Sequence, residues 1–180
     1  ANGHIHSPYS FSAFSDLETV FKMAGNEKIS LLGINDFFLT DGYDAFCRGC
    51  LQNNIFPLFN IEFIGLMKDE QKKSIRINDP NNPGRIYFSG KGLDYPFHTG
   101  WIQRMQLNSV IKESQLQIKA MISKLNTLIN PENLSLSLSY ETIKKEYAHD
   151  LVRERHIAKA LRIMTIENFS TPEDQLHFLE

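Results

Sequence analysis

The sequence has little cysteine and no long apolar run, and both absences exclude classes of protein. Two cysteines, Cys47 and Cys50, occur among 180 residues. They are too few for a disulfide framework, so a reducing compartment is favoured. No apolar stretch approaches the roughly 18 residues that suggest a membrane span, and the chain does not open with the pattern of a signal peptide. We therefore expect a cytoplasmic protein without a membrane partner.

The sequence also lacks an excess of either charge. Its formal net charge of -2 gives no general attraction to nucleic acid or acidic membranes, so phosphate recognition requires a local cluster of donors. A hydrophobic content of 42% and a charged content of 22% are ordinary for a globular protein. The length suits one domain with a sizeable core.

Short apolar runs alternate with helical patterns in the first third of the chain. An order of strand, helix, strand, helix, strand within so few residues implies a parallel sheet, either open or closed into a barrel. We expect an α/β half-barrel over residues 1–100. The predicted strands lie within 3–9, 29–36, 55–66 and 85–94, and the predicted helices cover 16–28 and 43–52.

The pattern becomes helical after residue 100. One long helix is predicted over 101–129, with a heptad-like apolar stripe from Leu107 to Leu128, and a second over 140–164. Two long helices joined by a short loop would pack as a hairpin. We expect this hairpin, residues 101–169, to pack on the same domain and to support a homo-oligomer. Residues 170–180 are predicted to start a further helix, cut short in a truncated chain.

The segment His4-Ile5-His6 is the first candidate metal site. Residues two apart on a strand point to the same side, so both imidazoles converge while Ile5 faces the other way. Neutral imidazole is a common ligand of zinc, iron and manganese. Glu62 is flanked by apolar residues, and a carboxylate there is costly to bury unless it is paired or bound to metal.

Asp36 lies where the second strand is expected to end, as Glu62 does near the end of the third. Active sites of parallel α/β folds form where the carboxyl ends of strands meet, so these acids and the two histidines should share one rim. Asp36 and Glu62 are the predicted catalytic residues. Asp41, in an Asp-Gly turn, is interpreted as a turn or cap residue, with metal binding as the alternative.

Three segments of the chain resemble successive motifs of the PHP (polymerase and histidinol phosphatase) family. They are 2–10 around His4-Ile5-His6, 32–43 around Asn35-Asp36, and Asn60-Ile61-Glu62, with a fourth echo in Arg155-His156-Ile157-Ala158. The resemblance implies a distorted (β/α)7 barrel that binds up to three divalent metals and hydrolyses phosphomonoesters or nucleic-acid phosphodiesters. It also implies that His4, His6 and Glu62 are metal ligands, with Glu62 bridging two ions.

The chain departs from the family pattern at several positions, one of which lies in the second motif. Family members usually carry Asp-His there, whereas Phe37 follows Asp36 in this sequence. With that ligand missing, we expect one or two ions of Zn, Mn or Fe. His98 is an alternative donor that could replace it, although a lone loop histidine is the default interpretation.

Cationic side chains elsewhere in the sequence are candidates for binding a substrate phosphate. Arg85 and Lys91 lie near the predicted fourth strand, with solvated surface cations as the alternative interpretation. His149, Arg153 and His156 share one stripe of the predicted second long helix. That stripe faces either the site or solvent, and Arg153 and His156 complete the set of predicted substrate-binding residues.

These observations together predict a metal-dependent hydrolase of phosphoesters. Its partner would be a phosphorylated small molecule or a nucleic-acid end. The alternative is a non-catalytic PHP-like module whose metal site has decayed and which acts in binding or regulation. A third interpretation is a binding protein whose helical hairpin recruits a partner.

Overall fold

The computed structural model describes residues 1–10, 12–129 and 136–179. The chain forms two compact units, residues 1–104 and 105–180. Among the residues described, no helix is both long enough and apolar enough to cross a bilayer. The packing of the hairpin on the first unit, the homo-oligomer and the cytoplasmic location stay predictions.

The first unit is built on one sheet with helices between its strands. The sheet has the order β1-β2-β3-β4, and β1 to β3 are parallel, as the alternation of strand and helix predicts. A mostly parallel four-stranded sheet of this kind fits a partial barrel. The strands are β1 Asn2–Ile5, β2 Leu31–Phe37, β3 Phe56–Leu66 and β4 Arg85–Gly90, and the helices are α1 Leu17–Asn26, α2 Tyr43–Gln52 and α3 Lys68–Lys72.

The fourth strand runs against the prediction of an all-parallel sheet. β4 pairs with β3 in antiparallel register, with Ser89 opposite Glu62 and Arg85 opposite Leu66. A parallel strand needs a crossover that carries the chain back along the sheet, usually on a helix. The connection between these strands contains only the five-residue α3. The chain therefore returns beside β3 in the opposite direction.

The two faces of the sheet have different chemistry. The face that we call the outer face carries apolar side chains, and it packs against α1 and α2 to form the core of the first unit. This core includes Ile5, Leu32, Ile34, Phe59, Phe21 and Phe46. The other face, which we call the inner face, carries the residues of opposite parity, among them His4, Asn35, Asn60 and Glu62.

The second unit is helical, but the predicted second long helix is wrong. Residues 148–153 are not helical, and two helices flank them. Leu151 and Val152 are adjacent and both fully buried, an arrangement that suits an irregular segment better than one face of a helix. The helices are α4 Trp101–Ile129, α5 Tyr140–Tyr147, α6 Glu154–Asn168 and α7 Pro172–Leu179.

The buried stripe of α4 also differs in part from the predicted one. Ile118, Ile122 and Ile129 are buried, whereas Leu128 is 64% exposed. Because the heptad pattern assumed one long partner helix, it selected a stripe that the shorter α5 and α6 do not fully cover. The predicted helix start after residue 170 is confirmed by α7, at which the Thr171 hydroxyl accepts a hydrogen bond from the Asp174 backbone N–H.

Candidate metal centre

Three side chains converge on one point of the inner face: His4 on β1, His6 directly after β1, and Glu62 on β3. The Nε2 atom of His4 lies 3.3 Å from that of His6. The same two nitrogens lie 3.3 and 3.2 Å from Oε2 of Glu62. Two imidazole nitrogens and one carboxylate oxygen thus form a nearly equilateral triangle. Among the described residues, these three form the group of histidine, cysteine and acidic side chains that could hold a metal ion.

The size of this triangle fits a first-row divalent ion. Zinc lies about 2.0–2.1 Å from histidine nitrogen and about 2.0–2.2 Å from carboxylate oxygen, usually in tetrahedral geometry. A tetrahedron with bonds of that length separates neighbouring donors by about 3.3–3.4 Å. The three observed distances of 3.2–3.3 Å match this spacing. Nitrogen and oxygen donors of this kind suit Zn, Mn and Fe alike.

The site is open on one side. The His4 side chain is 49% exposed, while that of Glu62 is 9% exposed. An ion held by three protein donors with access from solvent keeps a coordination position for water or substrate, which is the arrangement of catalytic rather than structural metal sites.

The backbone explains why the donors meet. Ile5 at the end of β1 is buried in the outer core, which turns its neighbours His4 and His6 to the inner face. β1 also approaches β2 closely at Gly33, where an added Cβ would lie 2.5 Å from the carbonyl oxygen of Gly3. A side chain at Gly33 would push β1 away and separate the histidines from Glu62.

Asn35 is the residue of the site that sequence reasoning missed. It is fully buried, and its Nδ2 lies 2.9 Å from Oε2 of Glu62 and 3.0 Å from Nε2 of His4. Its Oδ1 accepts a hydrogen bond of 2.9 Å from the ammonium of Lys91. The carboxamide therefore connects His4 and Glu62 to a cation. The sequence did contain a signal for Asn35, namely the alternation of side chains along β2. Asn35 lies two residues before Phe37, so both share one face of the sheet, and Asn35 pairs with Asn60 on β3.

Phe37 occupies the place beside Glu62 where the family resemblance implies a further ligand. The two residues are register partners on β2 and β3. The Phe37 ring stacks on the His6 ring at 4.7 Å with 17° between the planes. Phe37 thus packs against a donor imidazole and supplies no donor of its own. His98 does not belong to the converging group.

The surroundings set the protonation that metal binding needs. Burial opposes ionisation of Glu62, but its hydrogen bond with His6, the charges of both histidines and the hydrogen bond from Asn35 outweigh it and lower the pKa of Glu62. Burial lowers the pKa of His4, and the charges of His6 and Lys91 add to this effect against the opposing charge of Glu62. An ionised carboxylate beside a neutral imidazole is the donor state that divalent metals bind.

Asp36, a predicted catalytic residue, is turned to a different part of the fold. Its parity is that of Ile34, opposite to Asn35 on β2 and Glu62 on β3, and it is fully buried. Its carboxylate accepts hydrogen bonds from the Ser7 backbone N–H and hydroxyl and from the Ser10 hydroxyl. Asp36 thereby holds the turn that follows His6, so it positions a donor strand.

The remaining predicted residues lie in several places. Arg85 pairs with the buried Asp79 at 3.6 Å and lies over the Tyr87 ring. Asp41 is exposed in the turn before α2, as expected for a turn residue, and Gly42 is the N-cap. The structure describes three more of them in the second unit, namely His149, Arg153 and His156.

The predicted stripe of those three residues does not exist. His149 and Arg153 lie in the non-helical segment, where Arg153 is the N-cap residue of α6 and its backbone N–H donates to Nδ1 of His156 at 3.0 Å. The helical spacing that aligned them is interrupted by the buried pair Leu151 and Val152. Substrate binding by Arg153 and His156 stays a prediction.

Comparison with known proteins identifies the fold. No family model and no curated protein sequence matches the chain. The chain is similar to the crystal structure of a provisionally assigned metal-dependent phosphoesterase from Bifidobacterium adolescentis, with a TM-score of 0.66 and 14% sequence identity over 97% of this chain and 54% of that one. It is also similar to an amidohydrolase from Chromobacterium violaceum with bound sulfate and no metal, with a TM-score of 0.64 and 17% identity over 95% of this chain and 55% of that one.

These likenesses establish the fold of the chain. The chain spans about half the length of each of these two solved structures. The chain thus combines this fold with a His-His-Glu group suited to a metal ion.

Proposed function

We propose that this protein is a metal-dependent phosphoester hydrolase of the PHP type, with one divalent ion of Zn, Mn or Fe held by His4, His6 and Glu62. The observation that carries the proposal is the triangle of donors, whose sides of 3.2–3.3 Å fit an ion bonded at ordinary lengths. The exposed His4 side leaves room for a substrate. The fold likeness to a metal-dependent phosphoesterase supports the same reaction class.

The division of labour follows from the contacts of each residue. A bound divalent ion supplies Lewis-acid polarisation of a phosphoryl oxygen and acidifies water. Glu62 is a metal donor whose Oε2 is oriented by Asn35. Asp36 is a positioning residue for the turn after His6. The substrate is a phosphorylated small molecule or a nucleic-acid end, bound from the open side of the centre.

Metal analysis of the purified chain tests this proposal. After chelation and reloading with Zn or Mn, the wild-type chain should hold one ion, and His6→Ala should lose it because one of three donors is removed. His177→Ala, at an exposed histidine of α7, is the matched control and should retain the ion. Unchanged metal content in His6→Ala would contradict the proposal.

A non-catalytic PHP-like module is the second candidate. The observation in its favour is Phe37, which fills a donor position beside Glu62 with an apolar ring stacked on His6. Release of phosphate from an aryl phosphate with Mn added separates the two candidates. Metal-dependent release that is lost in His6→Ala supports the enzyme. Metal binding without release supports the module.

A further inference from the structure

Lys91 is held in place by backbone contacts on both sides. It follows directly after Gly90, the last residue of β4. The next residue, Gly92, has a φ of +67° and donates its backbone N–H to Oδ1 of Asn60 at 3.1 Å. Leu93 then bonds back to β3 and packs on the outer core. The Lys91 backbone is therefore fixed at the edge of the inner face.

The Lys91 side chain is directed to the metal donors by Asn35. Its ammonium donates to Oδ1 of Asn35 at 2.9 Å, and the same carboxamide donates to Oε2 of Glu62 at 2.9 Å. Because Oδ1 faces the ammonium and Nδ2 faces the carboxylate, the two contacts fix the amide orientation. An ammonium has three donors. Lys91 is an exposed residue, so donors not used on Asn35 can reach solvent.

We propose that the Lys91 ammonium is the second cation of a one-metal centre and binds one oxygen of a tetrahedral dianion whose neighbouring oxygen is held at the His4-His6-Glu62 site. This inference rests on the proposed function and names the chemical class of its ligand. The Lys91 ammonium and Oε2 of Glu62 contact the two ends of one carboxamide, and we place one phosphate group between the ammonium and the metal site. Lys91 would then be a substrate-binding residue and Asn35 its positioning residue.

The charge balance favours a dianion over a neutral or singly charged group. A divalent ion, one ammonium and one ionised carboxylate sum to a formal charge of two positive units, matching a phosphomonoester dianion. A carboxylate product of amide hydrolysis carries half that charge. The fixed positive charge also repels a second metal ion at this edge of the site. This charge balance suits a single ion, with lysine in place of a second metal.

Calorimetric titration of sodium sulfate into the Zn-loaded full chain tests this assignment, because sulfate is a tetrahedral dianion. Lys91→Met should weaken sulfate binding at least about tenfold, since a charge-assisted hydrogen bond is lost, while Zn content stays at one ion. Lys91→Arg should keep the affinity within about threefold. Lys22→Met, at an exposed lysine of α1 on the outer side of the sheet, should bind sulfate like the wild type.

Three results, each obtained with a wild-type chain that binds sulfate, would overturn the assignment. They are sulfate affinity unchanged in Lys91→Met, acetate bound by the wild type as tightly as sulfate, and two Zn ions per wild-type chain. Absence of sulfate binding by a wild-type chain that holds one Zn would also overturn it while leaving the proposed metal site intact. Loss of Zn binding by the wild type itself would instead contradict the proposed function, so the two failures are distinguishable.

Discussion

The two faces of β2 show how one strand serves two purposes. Ile34 and Asn35 are adjacent and both fully buried, yet Ile34 packs in the outer core and Asn35 bonds to His4, Glu62 and Lys91. Burial of an aliphatic side chain stabilises the fold by removing apolar surface from water. Burial of a carboxamide costs free energy unless its donors and acceptor are bonded. The outer face therefore holds the fold together, and the buried polar groups of the inner face depend on their hydrogen bonds with one another.

Substitution of Ile34 should give the largest effect on stability. Ile34→Ala removes a fully buried side chain from the outer core and should lower the free energy of unfolding by about 2–5 kcal/mol, measured by urea denaturation. Zn affinity of the folded variant should change little, because Ile34 faces away from the donors. Leu51→Ala, at a residue 64% exposed on α2, is the control and should change stability by less than about 0.5 kcal/mol. A marked loss of Zn affinity in folded Ile34→Ala would contradict the distinction between the two faces.

Substitution of Asn35 should produce the reverse pattern. Asn35→Ala takes a hydrogen bond from Glu62 and the anchor from Lys91, and loss of such a supporting partner typically lowers metal affinity about 10–100-fold. A competition titration with a chromophoric chelator measures this change. The loss of stability should be smaller than in Ile34→Ala. Asn168→Ala, at an exposed position of α6, is the matched control. Wild-type Zn affinity in Asn35→Ala would show that the carboxamide does not orient the donors.

Substitution of Phe37 by histidine should add one metal-binding side chain to the inner face. Phe37→His places an imidazole beside Glu62, within the stack on His6, and should raise Mn or Zn content from one ion toward two per chain at high metal concentration. The second ion should bind more weakly than the first because the Lys91 charge lies at the same site. Phe88→His on β4, an exposed position whose side chain faces the outer side, should not add an ion. Metal counting by mass spectrometry of the native protein decides between one and two ions.

Part of this comparison could be predicted from sequence. Alternation along β1 and β3 brought His4, His6 and Glu62 to one face, because a period of two depends on local backbone geometry alone. Asn35 and Lys91 were not linked, because their contact joins residues 56 positions apart and depends on the turn after β4. The predicted direction of β4 was wrong for a related reason. It follows from the connection that contains α3, whose path has no periodic signal.

The second unit shows a different limit of sequence patterns. Ile143, Tyr147 and Leu151 fit a helical period, which predicted one helix through the segment 148–153. Periodicity alone cannot distinguish a continuous helix from two helices whose apolar residues happen to stay in phase. The deep burial of the adjacent Leu151 and Val152 accounts for the break between α5 and α6.

Asp36 is the exception on the outer side of β2, and its titration gives the smallest predicted effect. Burial raises the pKa of Asp36 above its ordinary value of 3.8, and its hydrogen bonds with Ser7 and Ser10 do not offset this. The native state therefore holds a proton on Asp36 at a pH where the unfolded chain has released it. The stabilising contribution of the Asp36 proton is fully present below pH 3.8 and is lost as pH rises through the raised pKa of Asp36.

Asp36→Asn keeps the size of the side chain and removes the titration. The difference in unfolding free energy, wild type minus variant, should thus fall as pH rises from about 3.5 to 7. Urea denaturation of both chains across that range measures the difference. A difference that rises with pH would mean that the serine hydrogen bonds, and not burial, determine the pKa of Asp36. Asp36 would then be ionised in the native state, as Glu62 is on the inner face.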